Sequence, residues 1–278
     1  MYRIAVVGGA DASVLDLVRL AHQEHPGRLH FDLFDCRTDI AEGEWTYHLA
    51  PDIQTAAQEA AQFVDQGHAD ILLKGIVTTH DLLHAVLNKD YQLKEQDLLS
   101  HVAMIHLPQL GRPLLLTDAG MNIAPNAKQL SQIIDNARLI AKKVGINQPK
   151  IAIISAAENY NPKMPSSVLA KEVADHYNGE AATVYGPISL DLALSKHAVA
   201  KKHFQAPIQG DADILAVTGI DVGNVIYKAL VLFTDVKVGG CLVGTKVPIV
   251  LNSRTDSIEN KLFALEFAMQ QVDGEENK

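Results

Sequence analysis

Residues able to bind an anion gather at the end of an apolar run near the C-terminus. Val247, Ile249, Val250 and Leu251 read as a buried strand, and Asn252, Ser253, Arg254, Thr255 and Asp256 follow at once. Ile258, Leu262, Leu265 and Met269 then recur at the spacing of one helical face. Ser253 or Asp256 can cap that helix, and Asp256 with Glu259 has capping-box spacing. A helix N-terminus offers free N–H groups and the positive end of its dipole. Serine adds a donor, and arginine adds a planar fork matched to phosphate oxygens. The same residues also suit a plain capped surface helix with a solvated arginine, and this stretch alone favours that plainer reading, because helix caps are common and phosphate sites are not.

Similar chemistry recurs where other predicted strands end. Lys74 closes the apolar run Ile71-Leu72-Leu73, and Thr78, Thr79, His80 and Asp81 follow, with Thr78 and Asp81 at capping-box spacing. Asn122 lies in the loop Asp118–Pro125, Ser155 follows Ile151–Ile154, and Lys163 and Ser166 flank Pro165 at the start of a helix. Each group is a weak signal by itself. Together they describe an anionic ligand held by hydroxyls, amides and single cations, with no metal.

Competing chemistries are less well supported. His80 and His84 share a helical face at the spacing of a zinc-protease motif, but the intervening acid is Asp81, a methylene shorter than glutamate. His101 and His106 are the available third ligands, and no spacing marks either, so a cap histidine with a cleft-facing or surface histidine is the preferred reading. The GxSxG elbow and the GxxxxGK[ST] phosphate loop are absent, and Gly8-Gly9 lacks the GxGxxG spacing of a dinucleotide site.

The elements that must position these residues alternate strand with helix. Strands are predicted at Ile4–Val7, Phe31–Phe34, Ala69–Gly75, Val102–Leu107, Pro113–Thr117, Ile151–Ile154, Thr183–Tyr185, Ile214–Val217 and Leu242–Gly244. Most are followed by an amphipathic helix, and the runs at 102–107 and 113–117 read as a hairpin-like pair. Such alternation predicts an α/β fold of mainly parallel sheet, whose ligands bind beyond the carboxyl ends of the strands. Cys36 to Ala50 resists assignment, and the acidic tail Asp273–Lys278 is expected to be disordered.

Composition narrows the partners. The chain has 278 residues, enough for two medium domains, and 33 acidic against 24 basic side chains leave a formal charge of −9. That balance argues against nucleic acid or an anionic membrane as a bulk partner. Cys36 and Cys241 stand alone, with no zinc or disulfide pattern, and no membrane-spanning run appears. A cytoplasmic protein is expected.

These segments carry a resemblance. Asp70-Ile71-Leu72-Leu73-Lys74-Gly75 with Thr79, Leu99-Ser100-His101-Val102, Thr117-Asp118-Ala119-Gly120-Met121-Asn122-Ile123-Ala124-Pro125, Lys163-Met164-Pro165-Ser166, Gly186-Pro187-Ile188-Ser189-Leu190-Asp191 and Ser253-Arg254 resemble the phosphate acyltransferases, most of all their phosphate butyryltransferase branch. The similarity runs from about residue 52 to about residue 265. It implies the reaction acyl-CoA + phosphate ⇌ acyl phosphate + CoA, with coenzyme A as substrate, no tightly bound cofactor and no metal. It also implies two α/β domains of isocitrate/isopropylmalate dehydrogenase-like architecture with the site in their cleft. The expected division is 1–95 with 250–278, and 96–249. A homo-oligomer, at least a dimer, is expected.

On this resemblance Ser253, Arg254 and Asp256 are the catalytic candidates, and Lys74, Thr78, Thr79, His84, Asn122, Lys163, Ser166 and Asn260 the substrate-binding ones. Two positions depart from the family. Acetyl-transferring relatives place an aspartate seven residues after the serine, where this chain has Asn260; the base then falls to Asp256 or Glu259, with Asp256 preferred. Relatives also carry arginine where this chain has His84, and a histidine supplies positive charge only toward lower pH.

Overall fold

The computed structural model describes residues 1–40, 42–177, 182–253 and 255–276. By internal contacts the chain divides into two compact units, 1–97 with 239–278, and 98–238.

The first unit opens with β1 (Tyr2–Val7), α1 (Ala12–Glu24), β2 (Leu29–Asp35), β3 (Thr46–Leu49), α2 (Ile53–Asp65), β4 (Ile71–Lys74) and α3 (Thr79–Val86). The second contains β5 (Ser100–His106), β6 (Pro113–Thr117), α4 (Ala127–Lys143), β7 (Lys150–Ile154), α5 (Pro165–His176), β8 (Thr183–Ile188), α6 (Leu190–Leu194), α7 (Lys196–Lys202), β9 (Ile214–Val217) and α8 (Ile220–Phe233). The chain then forms β10 (Lys237–Val243), β11 (Ile249–Val250) and α9 (Ile258–Glu276).

In the first unit the strand order is β3-β2-β1-β4-β11-β10, parallel throughout except for β10, which runs antiparallel to β11. Ile4–Val7 and Ile71–Leu73 are buried without alternation, as strands covered on both faces must be. In the second unit the order is β5-β6-β9-β7-β8, with β6, β9, β7 and β8 parallel and β5 antiparallel to β6. Its core joins Ile105, Leu116, Ala152, Ile188, Leu215 and Val217 from the strands to Leu192 and Tyr227 from the helices. Both units are therefore α/β with mainly parallel sheet.

Three local readings change. The unassigned stretch 36–50 contains β3, which pairs with β2 only; its Thr-Tyr-His-Leu sequence is half exposed and carries no burial alternation to read. The tail is helical to Glu276, because α9 continues through Asp273, which accepts a hydrogen bond from the Tyr2 hydroxyl. The start of α9 is capped by neither Ser253 nor Asp256. Ser257 does this, its Oγ accepting the Asn260 N–H at 3.2 Å.

Candidate active site

In the first unit, parallel pairing sets the exits of β4 and β11 side by side, with Ile249 opposite Leu72 and Val250 opposite Leu73. Lys74, Gly75, Ile76, Asn252, Ser253 and Lys261 consequently line one crevice. Lys74 is buried, its Nζ 3.5 Å from the Gly75 carbonyl oxygen. The floor is backbone packed on backbone. Gly75 N–H donates to the Val7 carbonyl at 2.8 Å, and Ile76 N–H to that of Gly8 at 2.9 Å. Gly8 has φ +71°, and a Cβ there would stand 2.6 Å from the Ile76 backbone. The Gly8-Gly9 turn thus joins β1 to α1 and serves close strand-to-strand approach.

Beyond β11 the chain folds back on itself. Asp256 is 8% exposed, and its Oδ2 accepts the Ser253 N–H at 2.7 Å. Its Oδ1 is buried and has no hydrogen-bond partner among the described residues. Ser253 Oγ lies 3.0 Å from Thr255 Oγ1. Glu259, the other base candidate, is exposed, and the helix-start N–H and the Ser257 hydroxyl hold its carboxyl below the usual range. Asn260 is buried at the first turn of α9. Arg254 lies outside the described residues.

Thr78 caps α3. Its Oγ1 accepts the Asp81 N–H at 3.0 Å and donates to Asp81 Oδ2 at 2.5 Å. This commits the Thr78 hydroxyl to the helix start, whereas Thr79 and His84 are exposed. His80 and His84 face solvent with ring centroids 6.4 Å apart, and no group of three metal-ligating side chains occurs among the described residues.

In the second unit, parallel strands again bring loops to one edge: Asp118–Asn122 after β6, Ser155 after β7, and Thr218-Gly219 after β9. Ser155 Oγ meets Ser166 Oγ at 3.0 Å, joining the β7 exit to the first turn of α5, and Lys163 is exposed just before that helix. Sequence reasoning missed Asp118, which is 2% exposed. Its carboxylate accepts N–H groups of His101 (3.1 Å), Gly120 (2.9 Å), Met121 (2.8 Å) and Asn122 (3.3 Å), and the Asn122 side-chain Nδ2 at 2.6 Å. Behind it, burial pushes the His101 imidazole down from its ordinary pKa, against the opposing charge of Asp118, so His101 is held toward its neutral form. The available signal was an aspartate followed by small residues, a common loop composition that does not announce such a network.

The comparisons agree on a family. The model for the phosphate acetyl/butaryl transferases matches residues 46–268. A phosphate butyryltransferase of Clostridium acetobutylicum is 40% identical over 278 residues, covering 96% of this chain and 92% of that one. A branched-chain phosphotransacylase from Enterococcus faecalis V583 superposes with a TM-score of 0.95 at 52% identity, over 98% of this chain and 99% of its own. A 4-hydroxythreonine-4-phosphate dehydrogenase of Salmonella typhimurium shares the fold alone, with a TM-score of 0.62 at 12% identity over 97% and 99% of the two chains. The chain is a member of the phosphate acetyl/butyryl transferase family, and so an acyltransferase.

Proposed function

We propose that this acyltransferase interconverts acyl-CoA plus phosphate with acyl phosphate plus CoA, and that its acyl groups are butyryl or branched short chains. The observation carrying this reading is the 52% identity, over nearly the whole chain, to a branched-chain phosphotransacylase. An acetyl preference is the second reading, since the family model spans both acyl types.

The roles follow from the chemistry. Ser253, Arg254 and the nearby start of α9 hold the phosphoryl group, with the buried cation of Lys74 lining the same crevice as Ser253. Thr79, His84 and Asn260 are the further phosphate-binding candidates of the first unit, Thr78 spending its hydroxyl on the start of α3, and Asn122, Lys163 and Ser166 of the second unit are the candidates for acyl-CoA. Toward acyl-CoA, the CoA thiol loses its proton to Asp256 as sulfur attacks the acyl carbon. The carbon–oxygen bond to phosphate breaks, and phosphate leaves with the bonding electrons. Asp256 Oδ1, which has no hydrogen-bond partner among the described residues, supports this role, because it leaves a lone pair for the proton.

The oligomer and the compartment belong to the same proposal. Val222, Val225, Leu232 and Phe233 are exposed on α8, at spacings that align them as a stripe. A second copy offering the same stripe across a twofold axis would bury on the order of 1,000 Å², where specific interfaces begin. Among the described residues no helix is long and apolar enough to cross a membrane, in keeping with a cytoplasmic location.

The test is phosphate-dependent CoA release from acetyl-, butyryl- and isobutyryl-CoA. The butyryl or isobutyryl ester should show the highest kcat/KM, and release from none of them would end the catalytic reading. Arg254→Ala should lower kcat by roughly two orders of magnitude; a nearly unchanged rate would remove its role.

A further inference from the structure

The loop after β6 resembles an anion cradle, since the N–H groups of Gly120, Met121 and Asn122 point inward together. That cradle is already filled by the Asp118 carboxylate of the same loop. The Asn122 side chain is equally committed on its donor side. Its Nδ2 gives one hydrogen to Asp118 Oδ2 at 2.6 Å and the other to the Leu99 carbonyl at 2.9 Å. Both partners are acceptors only, so the amide orientation is forced: the atom between them is nitrogen, and oxygen is the end left for a ligand. Asn122 is half exposed, so that oxygen is not sealed in the core.

A phosphate dianion presents mainly acceptor oxygens and gains little from such a group. The pantetheine arm of CoA is the substrate part that carries donors, namely its amide N–H groups and its thiol. We infer that Asn122 accepts a hydrogen bond from the pantetheine arm of CoA through Oδ1, and that Asp118 is the positioning residue that locks it in that orientation. This rests on the acyl-CoA reading above and assigns the Asp118 loop to CoA, not to phosphate.

Asn122→Ala should raise KM for butyryl-CoA about tenfold, the effect of one lost hydrogen bond, with KM for phosphate changed less than about twofold. Asp118→Asn should move the same constant in the same direction, because its new amide meets donors with a donor and releases Asn122. Calorimetric binding of CoA and of desulfo-CoA separates the two donors. If Asn122→Ala weakens both ligands, the donor is an amide; if it weakens CoA alone, the donor is the thiol. If neither binding nor the acyl-CoA KM changes, or if the phosphate KM rises instead, the inference is wrong. Were wild-type protein to bind CoA yet release none from any ester, the catalytic reading would fail while the binding arm still decided the role of Asn122. Melting temperatures of both variants report any loss of fold, and the loop position of Asn122 keeps its alanine variant usable if Asp118→Asn unfolds.

Discussion

Replacing Gly223 by alanine sets two effects of opposite sign against each other. Gly223 is the fourth residue of α8, and a glycine inside a helix costs about 0.5–1 kcal/mol relative to alanine. Helix propensity alone therefore predicts a more stable protein. The tertiary contact predicts the reverse. A Cβ at 223 would stand 2.6 Å from the Asp118 carbonyl oxygen, 2.9 Å from Ala119 Cα and 3.1 Å from Val217 Cγ2. Two of these atoms are backbone, in a loop tied down by the buried Asp118 carboxylate, and neither can swing aside. Overpacking of this kind costs about 1–3 kcal/mol, which outweighs the propensity gain. The net loss should be about 1–2 kcal/mol, read as a fall in Tm of about 2–4 °C per kcal/mol in thermal unfolding followed by circular dichroism. Because the displaced backbone carries Asn122, KM for acyl-CoA should rise as well. A Tm equal to or above that of the wild type would refute the close packing of α8 on this loop.

Three further outcomes are expected. Asp32 is fully buried in β2, with Arg3 Nε at 2.7 Å and His48 Nε2 at 2.9 Å; Asp32→Asn should cost roughly 1–3 kcal/mol in urea unfolding. Burial pushes the Asp32 carboxyl up, but hydrogen bonds from Arg3 and His48 and the Arg3 charge outweigh it and hold it below the usual range. Its contribution is therefore complete above about pH 4 and lost as pH falls through the lower native value, so the wild type should show a steeper acid slope than Asp32→Asn. Asp256→Asn retains an oxygen for the Ser253 N–H but not a base; kcat should fall about 10²-fold or more with a flattened pH profile, and full activity would dismiss Asp256. His84→Arg restores a permanent cation on the exposed face of α3, and KM for phosphate should drop severalfold; an unchanged KM would separate His84 from the phosphate.

Much of the architecture was legible because periodicity is a local property. Ile4–Val7 and the run Ile71–Leu73 read as strands from their apolar residues, and the alternation of strands with helices pointed to parallel sheet. β3 was not legible, since an edge strand half in solvent has no pattern to impose on its residues. The start of α9 was misread for a related reason. Ser253, Asp256 and Ser257 are all competent caps by residue type, and only the path of the turn decides which oxygen meets the Asn260 N–H.

The sequence by itself determined the alternation of strands and helices, the family, and the clustering of small polar and basic residues at strand exits, because each depends on residue identity or short spacing. Tertiary structure decided how those residues are used. Pairing of β4 with β11 brings Lys74 and Ser253 to one crevice from positions 179 residues apart in the numbering. Folding of the β6 loop around Asp118 turns three backbone donors inward and leaves Asn122 an acceptor. Residue type states which hydrogen bonds a group is able to make; only the packed chain determines which of them are already taken.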